Sequence, residues 1–149
     1  MDTFDLEKKI KYTPKTLYME YILINYYNFL KEKLEDKHIT QGELTFLYNI
    51  YYHESISQRE LADLLFVSEA YVTKILKKLE KKEYIKRKID EKNKSKKMIY
   101  LSEKGRTLTS DFLKITHEWE KKLTKSLDYI EDDKLSKLLY DLAYNTIEK

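Results

Sequence analysis

The chain has 149 residues, 37% of them charged, with 14 tyrosines, two glycines, one proline and no cysteine; that length suits one core or a domain with appendages, and the lack of cysteine excludes disulfides, thiolate chemistry and Cys-ligated zinc. Two glycines are too few for a glycine-rich phosphate cradle, and the longest mostly apolar stretch, Leu17 to Leu30, contains Glu20 and falls short of the ~20 residues of a membrane span. The net charge is only +3, but residues 74–97 hold 12 Lys/Arg against four acids, a local +8 that leaves −5 for the rest, and such a concentration is the footprint of a polyanion partner.

The opening MDTFDLEKK lacks an apolar signal core, so the expectation is a soluble, cytoplasmic, helix-rich chain without membrane association. Loop punctuation this sparse argues against an all-β domain. Thr13-Pro14 reads as an N-cap followed by proline at the first helical position, and the helix is expected to run to about Asp36. Its apolar residues form two neighbouring stripes, Tyr18, Ile22, Phe29 and Leu23, Tyr27, Leu30, Leu34, the pattern of a helix buried between two surfaces.

Thr40 and Glu43 make a capping box ahead of a helix to about His53. Ser55-Ile56 is a short extended link. Ser57 and Glu60 make a second box, opening a short helix through Leu61, Leu64 and Leu65. Phe66-Val67 is a tight turn without glycine, and Ser68 caps a helix from Glu69 to about Lys82. The period then changes. Residues 84–89 and 97–101 alternate apolar and polar, a strand signal, around the polar tip 90–96, so a β-hairpin with a charged loop is expected. Ser102 caps a long helix whose Leu108, Phe112, Ile115, Trp119, Leu123 and Leu127 recur every three or four residues through roughly Tyr129, ~40 Å at 1.5 Å per residue. A last helix is expected from about Asp133 to Ile147, with Leu135, Leu138, Leu139, Leu142 and Ala143 on one face. The first and the last two helices present more apolar surface than one small core needs, which implies a partner surface, and self-association supplies it.

Helix, short helix, tight turn, helix and charged hairpin together make a winged helix-turn-helix. In its third helix Val72, Ile75, Leu76 and Leu79 fall on one side. Ala70, Lys74, Lys77 and Lys81 fall on the other, flanked by Tyr71, Thr73 and Lys78. Small and polar residues from Ser68 onward suit the edges of bases, and the lysines suit phosphates. The helix start at Ser57 and Gln58 offers backbone N–H groups to another phosphate. The hairpin would carry Arg87, Lys88, Lys92, Lys94 and Lys96 beside the flanking minor groove. For Tyr71 a partly buried aromatic and a groove contact are both open.

The segment SQRELADLLFVSEAYVTKILKKLEKKEYIKR, followed by the hairpin and LSEKG, resembles the multiple-antibiotic-resistance regulator (MarR) family of bacterial and archaeal repressors. The resemblance covers nearly the whole chain and implies a mainly α (α+β) fold. Residues 1–38 would form an N-terminal dimerisation helix, 39–101 a winged helix-turn-helix DNA-binding domain, and 102–149 the C-terminal dimerisation helices. It also implies a homodimer on pseudo-palindromic double-stranded operators, modulated by a small-molecule effector. Two positions depart from the family. Glu83 stands where glycine is usual, and a left-handed non-glycine residue costs ~1 kcal/mol, so a different turn is open there. Asn93-Lys94-Ser95 replaces a common Asp-Arg-Arg, so the minor-groove arginine becomes a lysine, a more hydrated point charge.

Tyr18, Tyr21, Tyr26 and Tyr27 are candidates for an aromatic effector pocket, with plain core or dimer interface as the bland alternative. His38, His53 and His117 are scattered; even with Glu118 beside His117 no metal site is expected. No Ser/His/Asp or paired-carboxylate arrangement stands out, so neither a catalytic residue nor a cofactor is expected. The rival function is a winged-helix protein–protein interaction module without specific DNA binding, which has no need of the +8 stretch.

Overall fold

The computed structural model describes residue 10 and residues 12–147. The elements run α1 (Lys15–Asp36), α2 (Gln41–His53), β1 (Ile56–Ser57), α3 (Gln58–Leu65), α4 (Glu69–Lys81), β2 (Ile85–Ile89), β3 (Lys97–Leu101), α5 (Glu103–Leu123) and α6 (Tyr129–Ile147). Two compact units divide at Ile39 and Thr40.

The first unit is essentially α1. Pro14 occupies the N-cap position and Lys15 is the first helical residue, one residue later than the Thr13-Pro14 reading. Proline's fixed φ suits a helix start, but here its ψ is 134°, still extended, so the turn begins after it. Leu30 and Leu34 are buried, while Met19, Tyr21, Ile22, Leu23 and Ile24 are 40–55% exposed. The expected burial on both stripes is therefore absent over the first turns of this single chain.

The second unit is built on local signals that hold. Thr40 and Glu43 form the capping box, with the Glu43 N–H donating to Thr40 Oγ1 at 3.1 Å and the Thr40 N–H to Glu43 Oε2 at 2.8 Å. Ser57 and Glu60 repeat it at 3.2 and 2.8 Å. Ser68 accepts from the Tyr71 N–H and Ser102 from the Gly105 N–H, so each helix of the motif starts where its hydroxyl satisfies an orphan donor. The extended link at Ile56–Ser57 is a strand in its own right. It pairs antiparallel with β3, Ile56 opposite Ile99, giving a three-stranded sheet of order β1-β3-β2. In the hairpin Ile85 faces Leu101 and Ile89 faces Lys97.

Turns without glycine are made by left-handed residues of other types: Phe66 at φ 53° and Glu83 at φ 62°. After α4 the Tyr84 N–H donates to the Leu79 carbonyl at 3.0 Å and the Glu83 N–H to the Glu80 carbonyl at 2.9 Å. This is the Schellman pair that normally carries glycine. The turn does not differ at Glu83; the chain accepts the strain.

The core of this unit gathers Leu44, Leu47, Ile50, Leu61, Val72, Leu76, Leu79, Ile99, Leu108 and Phe112, all 7% exposed or less. Each buried Leu or Ile side chain contributes ~1.5–3 kcal/mol relative to exposure. The helix after the hairpin is shorter than its apolar stripe suggests. It ends at Leu123, Thr124 is its C-cap, and α6 begins at Tyr129. A capping box missed in the sequence opens α6, with Asp128 and Glu131 exchanging hydrogen bonds of 2.9 and 2.8 Å. That box bars one continuous helix through Asp128, since a cap residue is extended. Only the first half of the stripe is covered: Leu108 and Phe112 are buried, whereas Leu123, Leu127, Leu138, Leu139 and Leu142 are 36–57% exposed.

Candidate nucleic-acid interface

The candidate interface is the outward side of α3, α4 and the β2–β3 hairpin. The spacing of α4 places its faces as expected. Val72, Ile75, Leu76 and Leu79 are at most 4% exposed, and Ala70, Lys74, Lys77, Lys78 and Lys81 are on the solvent side. Thr73 is half-buried, between the two. Tyr71 is 39% exposed; its ring meets Phe46 edge-on at 6.1 Å, and its hydroxyl reaches toward Gly42 of α2. The residue thus packs with one edge and shows the other.

The hairpin tip is ordered by its own polar groups. The Asp90 N–H donates to the Lys96 carbonyl at 2.8 Å, and the Lys96 N–H to the Asn93 carbonyl at 2.9 Å. Asn93 Oδ1 accepts from the Ser95 N–H at 3.2 Å and the Ser95 hydroxyl at 2.6 Å, an Asx turn. Lys92 and Lys94 project from this tip and are exposed. An open groove between tip and α3 is lined by Ser57, Gln58, Glu60, Arg87, Asn93 and Lys96.

Four of the twelve cations of residues 74–97 are committed to carboxylates. Lys82 Nζ donates to both oxygens of Glu43 at 2.9 Å. Glu43 itself is fully buried, so its charge is tolerated only because a cation and a backbone N–H meet it. Arg87 pairs with Glu80 through Nε, Lys96 with Glu60 at 3.3 Å, and Lys88 loosely with Glu91 at 3.8 Å. The other eight (Lys74, Lys77, Lys78, Lys81, Lys86, Lys92, Lys94, Lys97) are exposed and have no ion-pair partner among the described residues. Bare ammonium groups in such number favour a dense array of anions.

Glu60 is a residue that sequence reasoning saw only as a cap. The Ser57 hydroxyl, the Ser57 N–H and the Lys96 ammonium hold its carboxyl at about 2, well below the ordinary 4.5. It therefore ties the start of α3 to the wing as an ionised group. Gln58, Thr73 and Arg87, singled out separately in the sequence, are joined in one hydrogen-bonded cluster. Gln58 Nε2 donates to Thr73 Oγ1 at 2.5 Å and to the Glu69 carbonyl at 3.3 Å, and Arg87 Nη1 donates to Gln58 Oε1 at 3.3 Å. No sequence signal reports these pairs, which lie 11 to 29 residues apart.

The four tyrosines of α1 spread around the helix. At ~100° per residue Tyr27 lies on the side opposite Tyr18. Tyr18 is half-buried with a buried hydroxyl that has no hydrogen-bond partner among the described residues, Tyr21 is exposed, and the Tyr26 and Tyr27 rings lie 5.4 Å apart at 43°. His117 Nδ1 lies 3.0 Å from Glu120, and the described residues hold no group of three or more potential metal ligands. None of their helices is long and apolar enough to cross a membrane.

The MarR family model matches residues 39–96, the span from Ile39 through the hairpin tip. Among curated proteins, the HTH-type transcriptional regulator BilQ of Clostridium symbiosum is 32% identical over 115 residues, which cover 77% of this chain and 80% of that protein. The HTH-type transcriptional regulator SarZ of Staphylococcus aureus is 32% identical over 95 residues, 64% of this chain and 62% of the relative. A crystal structure of MarR superposes with a TM-score of 0.78 at 23% identity, covering 91% of this chain and 92% of that one. A MarR transcriptional regulator from Methanosarcina mazei gives 0.77 at 26%, covering 89% and 95%.

Proposed function

The chain belongs to the MarR family of transcriptional regulators, and from that premise we propose that it is a homodimeric repressor that binds a pseudo-palindromic operator and responds to a small-molecule effector. The observation that carries the DNA-binding part is the outward face of α4: Ala70 and Tyr71 near its start, then Lys74, Lys77 and Lys78, exposed and without ion-pair partners among the described residues. Ala70 and Tyr71 suit base edges and the lysines suit phosphates. Self-association is supported by the bare apolar residues of α1 and of α5–α6, among them Tyr21, Leu23, Leu138 and Tyr140 at 47–68% exposure. A two-fold axis would set two α4 helices into successive major grooves, with half-site centres ~10 bp or ~34 Å apart.

The test is a salt titration on two duplexes, one selected by the protein from a random pool and one scrambled. Three or four phosphates per subunit make six to eight per dimer, so log K should fall with log salt at a slope of about −5 to −7. Lys74→Ala and Lys77→Ala should each weaken binding, whereas Lys121→Ala, exposed on α5 and paired with Glu118, should not. Equal affinities for all three variants would mean that α4 is not in the groove. Absence of any selected duplex would favour a protein–protein module. Light scattering should find a dimer at micromolar concentration; a stable folded monomer would refute the assembly.

A further inference from the structure

Arg87 is the arginine of the wing, and its side chain is turned inward. In β2 the side chains alternate, so Arg87 shares a face with buried Ile85, while Lys86 and Lys88 face the other way. Its side chain is 25% exposed, and the guanidinium meets the Glu80 carboxylate of α4 through Nε, with Nη2 at 3.5 Å from Glu80 Oε2. The remaining arm, Nη1, donates to Gln58 Oε1 of α3 at 3.3 Å. The planar fork of arginine suits such two-sided contact, and a lysine point charge cannot reproduce it.

The Gln58 amide is thereby oriented. Its NH2 serves the Glu69 carbonyl at 3.3 Å and Thr73 Oγ1 at 2.5 Å. A flipped amide would set its oxygen against that carbonyl and its NH2 against the guanidinium, two donor–donor or acceptor–acceptor clashes. Thr73 in turn donates to the Glu69 carbonyl at 2.9 Å. One guanidinium thus links strand β2, the first residue of α3 and both ends of α4.

We propose that Arg87 is a positioning residue for sequence recognition and not a phosphate ligand: it fixes the angle of α4 against the wing and α3, and so decides which base edges Ala70 and Tyr71 reach. The inference rests on the DNA-binding function proposed above. Its charge is already neutralised by Glu80, so it adds nothing to the phosphate count. Losing its fork while keeping the charge leaves the electrostatic attraction in place and blurs the discrimination among duplexes.

Glu80→Gln separates the two roles by sign. If Arg87 positions α4, removing the Glu80 charge lowers the preference for the selected over the scrambled duplex, on the order of tenfold, the worth of one base-pair readout. The salt slope stays at the wild-type value. Arg87→Lys behaves alike, since the fork is lost and the charge kept. Glu80→Asp, which keeps the charge but shortens the reach, is expected to lose preference too and covers the case in which Glu80→Gln does not fold, as judged by circular dichroism. If Arg87 instead holds a phosphate, removing the competing carboxylate tightens binding to both duplexes and Arg87→Lys is near wild type. Arg87→Gln then flattens the slope by ~1.8, one contact per subunit of a dimer. That outcome overturns the proposal. A wild-type protein that prefers no duplex overturns the DNA-binding reading itself, and the inference falls with it.

Discussion

Gly105→Ala sets two effects of opposite sign against each other. Alanine is the better helix former by ~1 kcal/mol, and Gly105 lies inside α5, so propensity alone predicts stabilisation. The structure predicts the reverse. A Cβ built at Gly105 would lie 1.9 Å from the Tyr84 carbonyl oxygen, 2.8 Å from its carbon and 3.1 Å from its Cα. These are backbone atoms in the turn after α4, with no rotamer to swing aside. Relief needs roughly 1 Å of separation between α5 and that turn, at the ~1–3 kcal/mol typical of overpacking. The same separation loosens the N-cap. Ser102 donates its N–H to the Tyr84 carbonyl at 3.0 Å and its hydroxyl to the Glu83 carbonyl at 2.6 Å, and it accepts from the Gly105 N–H at 3.0 Å; a lost cap costs ~1 kcal/mol. After the propensity gain of similar size to the cap loss, the net loss is about 1–3 kcal/mol. Urea unfolding at fixed protomer concentration reads it as a midpoint lower by about 1 M, given ~1–3 kcal/mol per M. Gly42→Ala is the control. Its Cβ would meet Tyr71 Oη at 3.1 Å and Thr40 Oγ1 at 3.8 Å, and Tyr71 Oη is the far end of a side chain that can shift by a few tenths of an ångström, so its midpoint should move by less than half as much. A Gly105→Ala midpoint at or above wild type would refute the close docking of α5 on Tyr84.

Glu83→Gly should raise the unfolding midpoint, by ~1 kcal/mol at most, because φ 62° is strained for glutamate, and the exposed 3.9 Å pair with Lys104 contributes little; a lower midpoint would show that the αL turn carries no strain. Lys82→Ala should destabilise by about 3 kcal/mol, the lower end for breaking a buried pair, since Lys82 is a third exposed and Glu43 is not; a loss under ~0.5 kcal/mol by urea unfolding would mean that water reaches Glu43. For Glu60 the folded-state pKa lies below the unfolded one, so its stabilisation is present above about pH 4.5 and is lost as the pH falls toward 2. Ser57→Ala should raise the Glu60 titration midpoint seen by NMR and shrink that acid-limb loss, the half-exposed carboxylate giving less than the full shift implies; an unchanged midpoint would remove Ser57 as its cause.

What was legible in the sequence was local. The boxes at Thr40 and Ser57 and the caps at Ser68 and Ser102 each act over three residues, so residue type and spacing are the mechanism. The buried side of α4 and the alternation of β2 and β3 follow from period alone. The break at Thr124 was hidden because Leu123 and Leu127 are four apart and continue the stripe straight through the turn. Asp128 and Glu131 carried a competing local signal, a capping box, and an N-cap and a helical interior demand incompatible backbone angles at one residue, so no single helix runs through Asp128. Strand β1 was legible only as extended, since its two residues owe their strand state to Ile99 and Met98, more than forty positions away. Glu83 shows the converse. Local cost argued for another turn, but the Leu79 and Glu80 carbonyls need the Glu83 and Tyr84 N–H groups, and two hydrogen bonds at a helix end outweigh ~1 kcal/mol of left-handed strain.

For the candidate interface the sequence supplied a charge count, and the fold sorts the charges. Lys82, Arg87 and Lys96 look like their neighbours in a basic run, yet each meets a carboxylate 7 to 39 residues distant. Those three lie where α4 and the wing abut α2 and α3, and there a cation is held because an acid faces it. Lys74, Lys77 and Lys78 on α4, and Lys92 and Lys94 at the tip, are exposed and have no ion-pair partner among the described residues. A carboxylate that ties two elements together removes a cation from the surface and makes the surface rigid at the same time. In the proposed complex the phosphates that set the salt slope would be met by lysines on mobile four-carbon stems, which tolerate many sequences, while discrimination would be left to the orientation of α4 that Glu80 and Arg87 fix. On that proposal affinity and specificity rest on different residues, and a substitution that changes both the slope and the preference would contradict the division.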